Sequence, residues 1–343
     1  MFSLLDRQIA RHWRDKAFAR VKGVTGKPAR KVAVVGNCQS FGYAFALKLF
    51  DPALVVDRYA LVAPSYTDLK TLRGALADYD IVFSQDFGPK ILRDNATSDA
   101  LYADLPGVIR LPTVNFYGFH PDTIHLLDPT KGYRYILGPA GVYHSALALF
   151  GHIKGFSVEQ TEALFSHEAF AFVGYLDVWP SAIEEVLRAG QAASMKLDSA
   201  VARWSRGRAF MYTPTHPRPQ VMFDVARLAM GTAGLQAQAL DTDDYAVDDL
   251  SRDYILPVYP PLAELYGLAG STVLKLAHYR FSHGVGEMLT LKDYIARSFA
   301  HYAGRRREQL VHDRIDQWLG DDEICRTLGL LSAEEMKRRA LAR

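Results

Sequence analysis

The chain has 343 residues, 49% of them hydrophobic, enough to bury one large core or two medium ones and too apolar for disorder. Lys and Arg number 40 against 38 Asp and Glu, a formal net charge of +2, so no global field points to nucleic acid and a small-molecule partner is favoured. The two cysteines, Cys38 and Cys325, give neither a disulfide framework nor a cysteine-rich zinc site, which suits a reducing cytoplasm.

Residues 1–22 carry Arg7, Arg11, Arg14, Lys16, Arg20 and Lys22 among spaced apolar residues, a basic amphipathic helix rather than the continuous apolar core of a signal peptide. Its apolar stripe is expected to pack on its own domain. Peripheral contact with an anionic membrane, at its inner face, is the alternative. No run reaches the roughly 20 apolar residues of a membrane span.

After the linker Gly26-Lys-Pro28, the apolar run Val32 to Val35 predicts a strand buried on both faces. Further strands are expected over Val55–Val62, Asp80–Gln85 and Val108–Leu111, with a helix over Tyr66–Asp78 between them, the pattern of a doubly wound sheet. From about Gly138 the periodicity turns helical, over Val142–Phe150, Val158–Ser166, Ser181–Ala189, Ala193–Trp204, Gln220–Met230 and Leu289–Tyr302. Pro257 to Pro261 reads as a turn. The expected fold is a small parallel α/β subdomain embedded in a predominantly helical protein. Its divisions are a basic helix and linker over 1–28, the α/β subdomain over 29–137, and a helical portion over 138–343 packed on it as one compact unit.

The chemistry concentrates where the first strand ends. Gly36 and Asn37 tolerate a tight turn, and a helix is expected from Ser40, so Cys38 stands at a helix N-terminus where N–H groups and the dipole hold an anion or activate a thiol. Cys38 therefore reads as a nucleophile, as part of a ligand cradle, or as a small buried cysteine in an ordinary corner. Ser84 and Gln85 end the third strand at the same sheet edge, where doubly wound folds bind ligands.

Farther along, Asn115-Phe-Tyr-Gly-Phe-His-Pro-Asp122 offers His120 and Asp122 either as pocket groups or as parts of an aromatic loop packed under helices. His144 and Ser145 begin a predicted helix, which makes a second anion site or a plain cap with a buried histidine. In Tyr212-Thr-Pro-Thr-His-Pro-Arg-Pro219, prolines restrain His216 for acid–base work or simply start a helix. Lys275, His278, Arg280 and His283, followed by Arg297 and Arg305-Arg-Arg307, suit phosphates, and a solvated basic helix face is the alternative for the arginine run. Asp241, Asp243 and Asp244 lack the glycine and distal glutamate of a calcium loop and read as a helix start, so no metal is expected.

Val35-Gly-Asn-Cys-Gln-Ser40, Ser84-Gln85, Gly118-Phe-His-Pro-Asp122, His144-Ser145 and Thr213-Pro-Thr-His-Pro217, in that order, resemble the WcbI family of capsular-polysaccharide biosynthesis proteins. The resemblance spans most of the chain, and its specific part is Gly-Asn-Cys-Gln. It implies a mainly helical protein with a small α/β subdomain, binding of coenzyme A or acetyl-coenzyme A, and acetyl transfer to a sugar hydroxyl in surface-polysaccharide assembly. Under that reading Asn37, Cys38, Gln39, Ser40, Ser84, Gln85, His144, Ser145, Lys275 and Arg280 would hold the cofactor, and Cys38, His216 and His120 would do the chemistry. Either Cys38 takes the acetyl group and passes it to a hydroxyl activated by His216 or His120, or Cys38 only shapes the pocket while N–H groups of Asn37 to Ser40 stabilise an oxyanion. Two other readings remain: an esterase of the Gly-Asp-Ser type with cysteine as nucleophile, whose Asp-x-x-His pair has one match at Asp122-Thr-Ile-His125, and a non-catalytic nucleotide- or sugar-binding subunit.

Overall fold

The computed structural model describes residues 2–22, 30–278 and 287–342. Its only sheet of more than two strands, among the described residues, is parallel and ordered β2-β1-β3-β4. The strands are β1 (Lys31–Gly36), β2 (Val55–Ala60), β3 (Ile81–Gln85) and β4 (Ile109–Leu111). Parallel neighbours require crossovers, and α2 (Ser40–Phe50), α3 (Leu69–Leu76) and α4 (Ser98–Asp104) supply them. All four strands lie where their apolar runs place them. The two central strands β1 and β3 are buried nearly throughout, as their apolar runs require, whereas edge strand β2 is exposed or half-buried over its first half.

On one face of the sheet, α1 (Leu4–Lys22) lays Leu5 and Ile9 into a core with Ala33, Val35, Tyr59, Leu72 and Leu101. The N-terminal helix thus packs on its own domain, as expected. On the other face α2 packs against the helix Pro219–Thr232, and Phe50 meets Phe223 edge-on at 6.2 Å between ring centroids. A Cβ at Gly42 would stand 2.9 Å from Met222, so the missing side chain there permits the close approach of these two helices.

The chain divides into two compact units. One comprises Met1–Asn115, Glu185–Trp204 and His216–Leu250; the other Phe116–Glu184, Ser205–Thr215 and Ser251–Arg343. The boundaries at 28 and 137 expected from composition follow chain order, whereas these units interleave. The second unit is helical, built around Ala146–Lys154, Val158–Ala163, Leu291–Ala303, Asp313–Gly320 and Asp322–Leu341. Rings of Phe116, Trp179, Phe210 and Tyr266 stack edge-on or tilted through its core, with Trp179 and Tyr266 centroids 4.4 Å apart. Pro260–Tyr266 is a helix, not the turn expected around Pro257–Pro261; a proline at its first position needs no N–H partner and starts it. Among the described residues no helix is long and apolar enough to cross a membrane.

Candidate functional site

In the sheet order β2-β1-β3-β4 the connections leave β1 and β3 toward opposite sides, so the cleft past their carboxyl ends is the switch point where such folds bind ligands. The turn Gly36–Ser40 lies there. Its shape is held by two buried glutamines. Gln85, at the end of β3, accepts the Asn37 N–H through Oε1 at 3.1 Å and donates from Nε2 to Thr113 Oγ1 at 3.1 Å. A Cβ on Gly36 would overlap that same Oε1, so only glycine fits. Gln39 closes a double hydrogen bond with Val114, donating to its carbonyl at 2.8 Å and accepting its N–H at 3.1 Å. Ser40 Oγ donates to Asn37 O at 2.6 Å and accepts from Arg58 Nε at 2.9 Å.

These bonds sort the expected ligand-binding residues into two groups. Gln39, Ser40, Ser84 and Gln85 are buried scaffold, Ser84 turning its hydroxyl to the Gln85 carbonyl at 3.0 Å. Asn37 and Cys38 are half-buried and reach the surface. The turn's own N–H groups are committed: Asn37 to Gln85, Gln39 to Asn37 Oδ1 at 2.9 Å, and Ser40 to Asn37 O at 3.1 Å. Of the N–H groups of Asn37 to Ser40 expected to stabilise an oxyanion, those of Asn37, Gln39 and Ser40 are thus engaged within the turn itself. The first-turn N–H groups of Phe41 and Gly42 and the Arg58 guanidinium are the donors this end of α2 can offer.

Arg58 escaped the sequence reading because it sits inside an apolar strand. Burial lowers the guanidinium pKa, and the charges of Asp249 and Cys38 push it back up. A cation is thus fixed beside the cysteine. It also lies over the Phe41 ring, 5.7 Å from the centroid. Phe41 and Gly42 line a cleft with Phe45, Pro217, Met222 and Asp249. Buried His216 directly precedes Pro217 in that wall, and of His120, His144 and His216 it alone shares a compact unit with Cys38.

The second unit gathers His120, Asp122, His144 and Ser145 around a cavity of about 20 Å³, room for one water. His120 is 2% exposed; its Nε2 donates to Leu256 O at 3.2 Å, leaving Nδ1 buried without a hydrogen-bond partner. Burial takes its pKa down to about 4. The ring is neutral, and its Nδ1 lone pair is not spent on a hydrogen bond within the fold. His144 differs: Nε2 donates to Ile136 O at 2.8 Å and Nδ1 accepts from Tyr302 O–H at 3.0 Å.

The helix start at Ser145 is likewise occupied. Asp122 takes the Ala146 N–H on its carbonyl at 2.8 Å and the Leu147 N–H on its carboxylate at 2.9 Å, while Ser145 Oγ caps Ala148 at 2.9 Å. The three N–H groups of Ala146, Leu147 and Ala148 at the helix start expected as an anion site beside His144 and Ser145 are thus bonded within the fold. Lys275 turns its ammonium to the carbonyls of Ser251 and Asp253, each at 2.7 Å, so it braces a loop. Arg280 and His283 lie outside the described residues. Asp122 and His125 do not form an esterase pair: Asp122 also accepts from Tyr175 O–H at 3.0 Å, and His125 Nδ1 donates to Val142 O at 3.0 Å.

A protein-family model described as polysaccharide biosynthesis enzyme WcbI matches residues 31–238 of this chain, more than half of it. The fold is similar to a solved structure of WcbI, described as a novel polysaccharide biosynthesis enzyme in a native form without a disulfide bond between coenzyme A and one of its cysteines. That likeness covers 89% of this chain and 99% of the other, with a TM-score of 0.63 and 15% identity, and at that identity it concerns the fold alone. No curated protein matches the chain.

Proposed function

Since the chain belongs to the WcbI family of polysaccharide biosynthesis enzymes, we propose that it binds coenzyme A at the turn after β1 and transfers an acetyl group from it to a saccharide hydroxyl. The observation that carries this reading is the half-buried Cys38, held at the start of α2 beside Arg58. Cys38 is also the one cysteine within the residues matched by the family model, since Cys325 lies beyond them. The solved WcbI structure is described by reference to a disulfide between coenzyme A and a cysteine. A cysteine able to make that bond stands against the sulfur that carries the acyl group.

The residues at hand suit such a carrier. Arg58 and the first-turn N–H groups of Phe41 and Gly42 supply positive charge, and the small cleft of about 10 Å³ along α2 gives apolar wall residues between which a carrier would have to open the site. A guanidinium and a helix N-terminus favour charge on the neighbouring sulfur. Cys38 attacks the thioester carbonyl; a new carbon–sulfur bond forms as the bond to the carrier sulfur breaks, and the carrier leaves as the thiol after taking a proton. His216 accepts the proton of the saccharide hydroxyl, whose oxygen displaces Cys38 and completes the ester.

The test is full-length protein with acetyl-coenzyme A and a saccharide panel, following thiol release and the intact mass. Wild type should carry an acetyl adduct on Cys38; Cys38→Ala should abolish adduct and transfer, Cys325→Ala should leave both, and His216→Ala should slow transfer by about a hundredfold or more. Transfer by Cys38→Ala at the wild-type rate rules out the covalent route. Loss with His120→Ala but not His216→Ala moves the base to His120. Hydrolysis of acetylated saccharide without coenzyme A makes the protein an esterase, and binding without turnover makes it a carrier subunit.

A further inference from the structure

A cavity of about 570 Å³ opens between α1 and the outer edge of β2, within the range of small-ligand sites. Its lining runs along β2 from Val55 to Tyr59 and takes in Lys31 at the start of β1 and Asp78 and Tyr79 before β3; Arg58, whose Nε is spent on Ser40 Oγ, stands in the same wall. The α1 wall precedes the residues matched by the family model. An accounting of its charges is informative. Lys16 and His12 are both held by Asp78, at 2.6 and 3.0 Å, and Asp15 by Arg14 at 2.9 Å. Arg11 and Lys31 have no ion-pair partner among the described residues, and both line the cavity.

Two uncommitted cations in a concave site call for an anion. The carboxylates in the same walls repel a polyanion such as nucleic acid, so the fitting ligand carries one charged group and is otherwise hydroxyl-rich. Groups for hydroxyls are present: Asp57, which accepts Tyr79 O–H through Oδ2 at 2.8 Å and keeps its other oxygen, and the outer backbone of edge strand β2, which has no further strand beside it in the sheet. We propose that this cavity is a second, non-catalytic saccharide site, taking a sugar that bears a phosphate or a carboxylate. The choice of sugar rests on the family membership and is independent of the acyl-transfer reading.

The experiment titrates full-length protein with a hexose phosphate, glucuronate, glucose and inorganic phosphate, by calorimetry, for wild type and for the double variant Arg11→Glu with Lys31→Glu. Both side chains are exposed, so the variant should fold, which an unchanged circular dichroism spectrum and melting temperature check; Arg11→Gln with Lys31→Gln serves as the milder form. At least one charged sugar should bind at least tenfold more tightly than both glucose and inorganic phosphate, and the double variants should lose at least tenfold of that. Which charged sugar binds tells phosphate from carboxylate. Equal binding of glucose, equal binding of inorganic phosphate, no binding of any sugar, or wild-type affinity in the variants overturns the proposal. A coenzyme A effect on melting that survives in the variants shows that the acyl-transfer reading stands or falls separately.

Discussion

His120 and His144 are almost equally buried and differ in how their nitrogens are used. A carbonyl can only accept, so in both rings the nitrogen facing it carries the proton; His144 then spends its other nitrogen on Tyr302, and His120 keeps a lone pair. Burial takes both pKa values from 6.5 down to about 4. The unfolded chain therefore binds a proton near pH 6.5 that the folded chain refuses until about pH 4. Each ring contributes stability that is complete above 6.5 and lost as pH falls through 4, up to about 3 kcal/mol. Asp122 acts in the opposite sense. Burial raises it from 3.8 to about 6, so acidification through that window restores about 3 kcal/mol, and the two histidines still outweigh it. Wild type should lose stability between about pH 7 and pH 4.5, and His120→Gln, which still has a donor for Leu256, should lose on the order of 2 kcal/mol less. Urea unfolding at the two pH values measures this. Equal losses would mean that His120 is protonated in the fold.

At the scale of elements, the turn after β1 combines what the sequence displayed and what it concealed. The valine run and Gly36-Asn37 announced strand and turn because a doubly buried strand must be apolar and a tight corner must tolerate unusual backbone angles. The clamps were not legible: Gln39 reaches Val114 across 75 positions and Gln85 reaches Asn37 across 48, and an amide bonding to distant backbone leaves no periodic trace. Both glutamines were read as ligand groups for that reason. Helices Asp313–Gly320 and Asp322–Leu341 also went unread, since charged residues dominate their exposed faces and few positions are buried. The clamp makes a prediction. Gly36→Ala drives a methyl into Gln85 Oε1 and should cost about 1–3 kcal/mol. Gln85→Ala leaves the Asn37 N–H without its acceptor and should cost a similar amount. In the double variant the clash is gone, so the combined loss should fall short of the sum by at least about 0.5 kcal/mol. Strict additivity, in thermal or urea melts, would show that the two residues do not press on each other.

Across the whole molecule, composition correctly bounded the size of the core but not its organisation, because residues 185–204 and 216–250 return to the N-terminal unit without any compositional mark. This return matters for the site. It brings His216 and Asp249 into the unit that carries Cys38 and Arg58, while His120 belongs to the other. A carrier bound at the Cys38 turn should therefore act first on the N-terminal unit. Coenzyme A at about a hundred times its dissociation constant should stabilise the folded chain by about 2.7 kcal/mol, a rise of roughly 4 °C in melting temperature for a protein of this size. Hydrogen exchange should show the protection over Gly36–Phe50 and Pro219–Thr232, the turn and the two helices that line its cleft. Protection confined to the segments around His120 and Ser145 would place the carrier in the second unit and remove Cys38 from the reaction, whatever the size of the thermal shift.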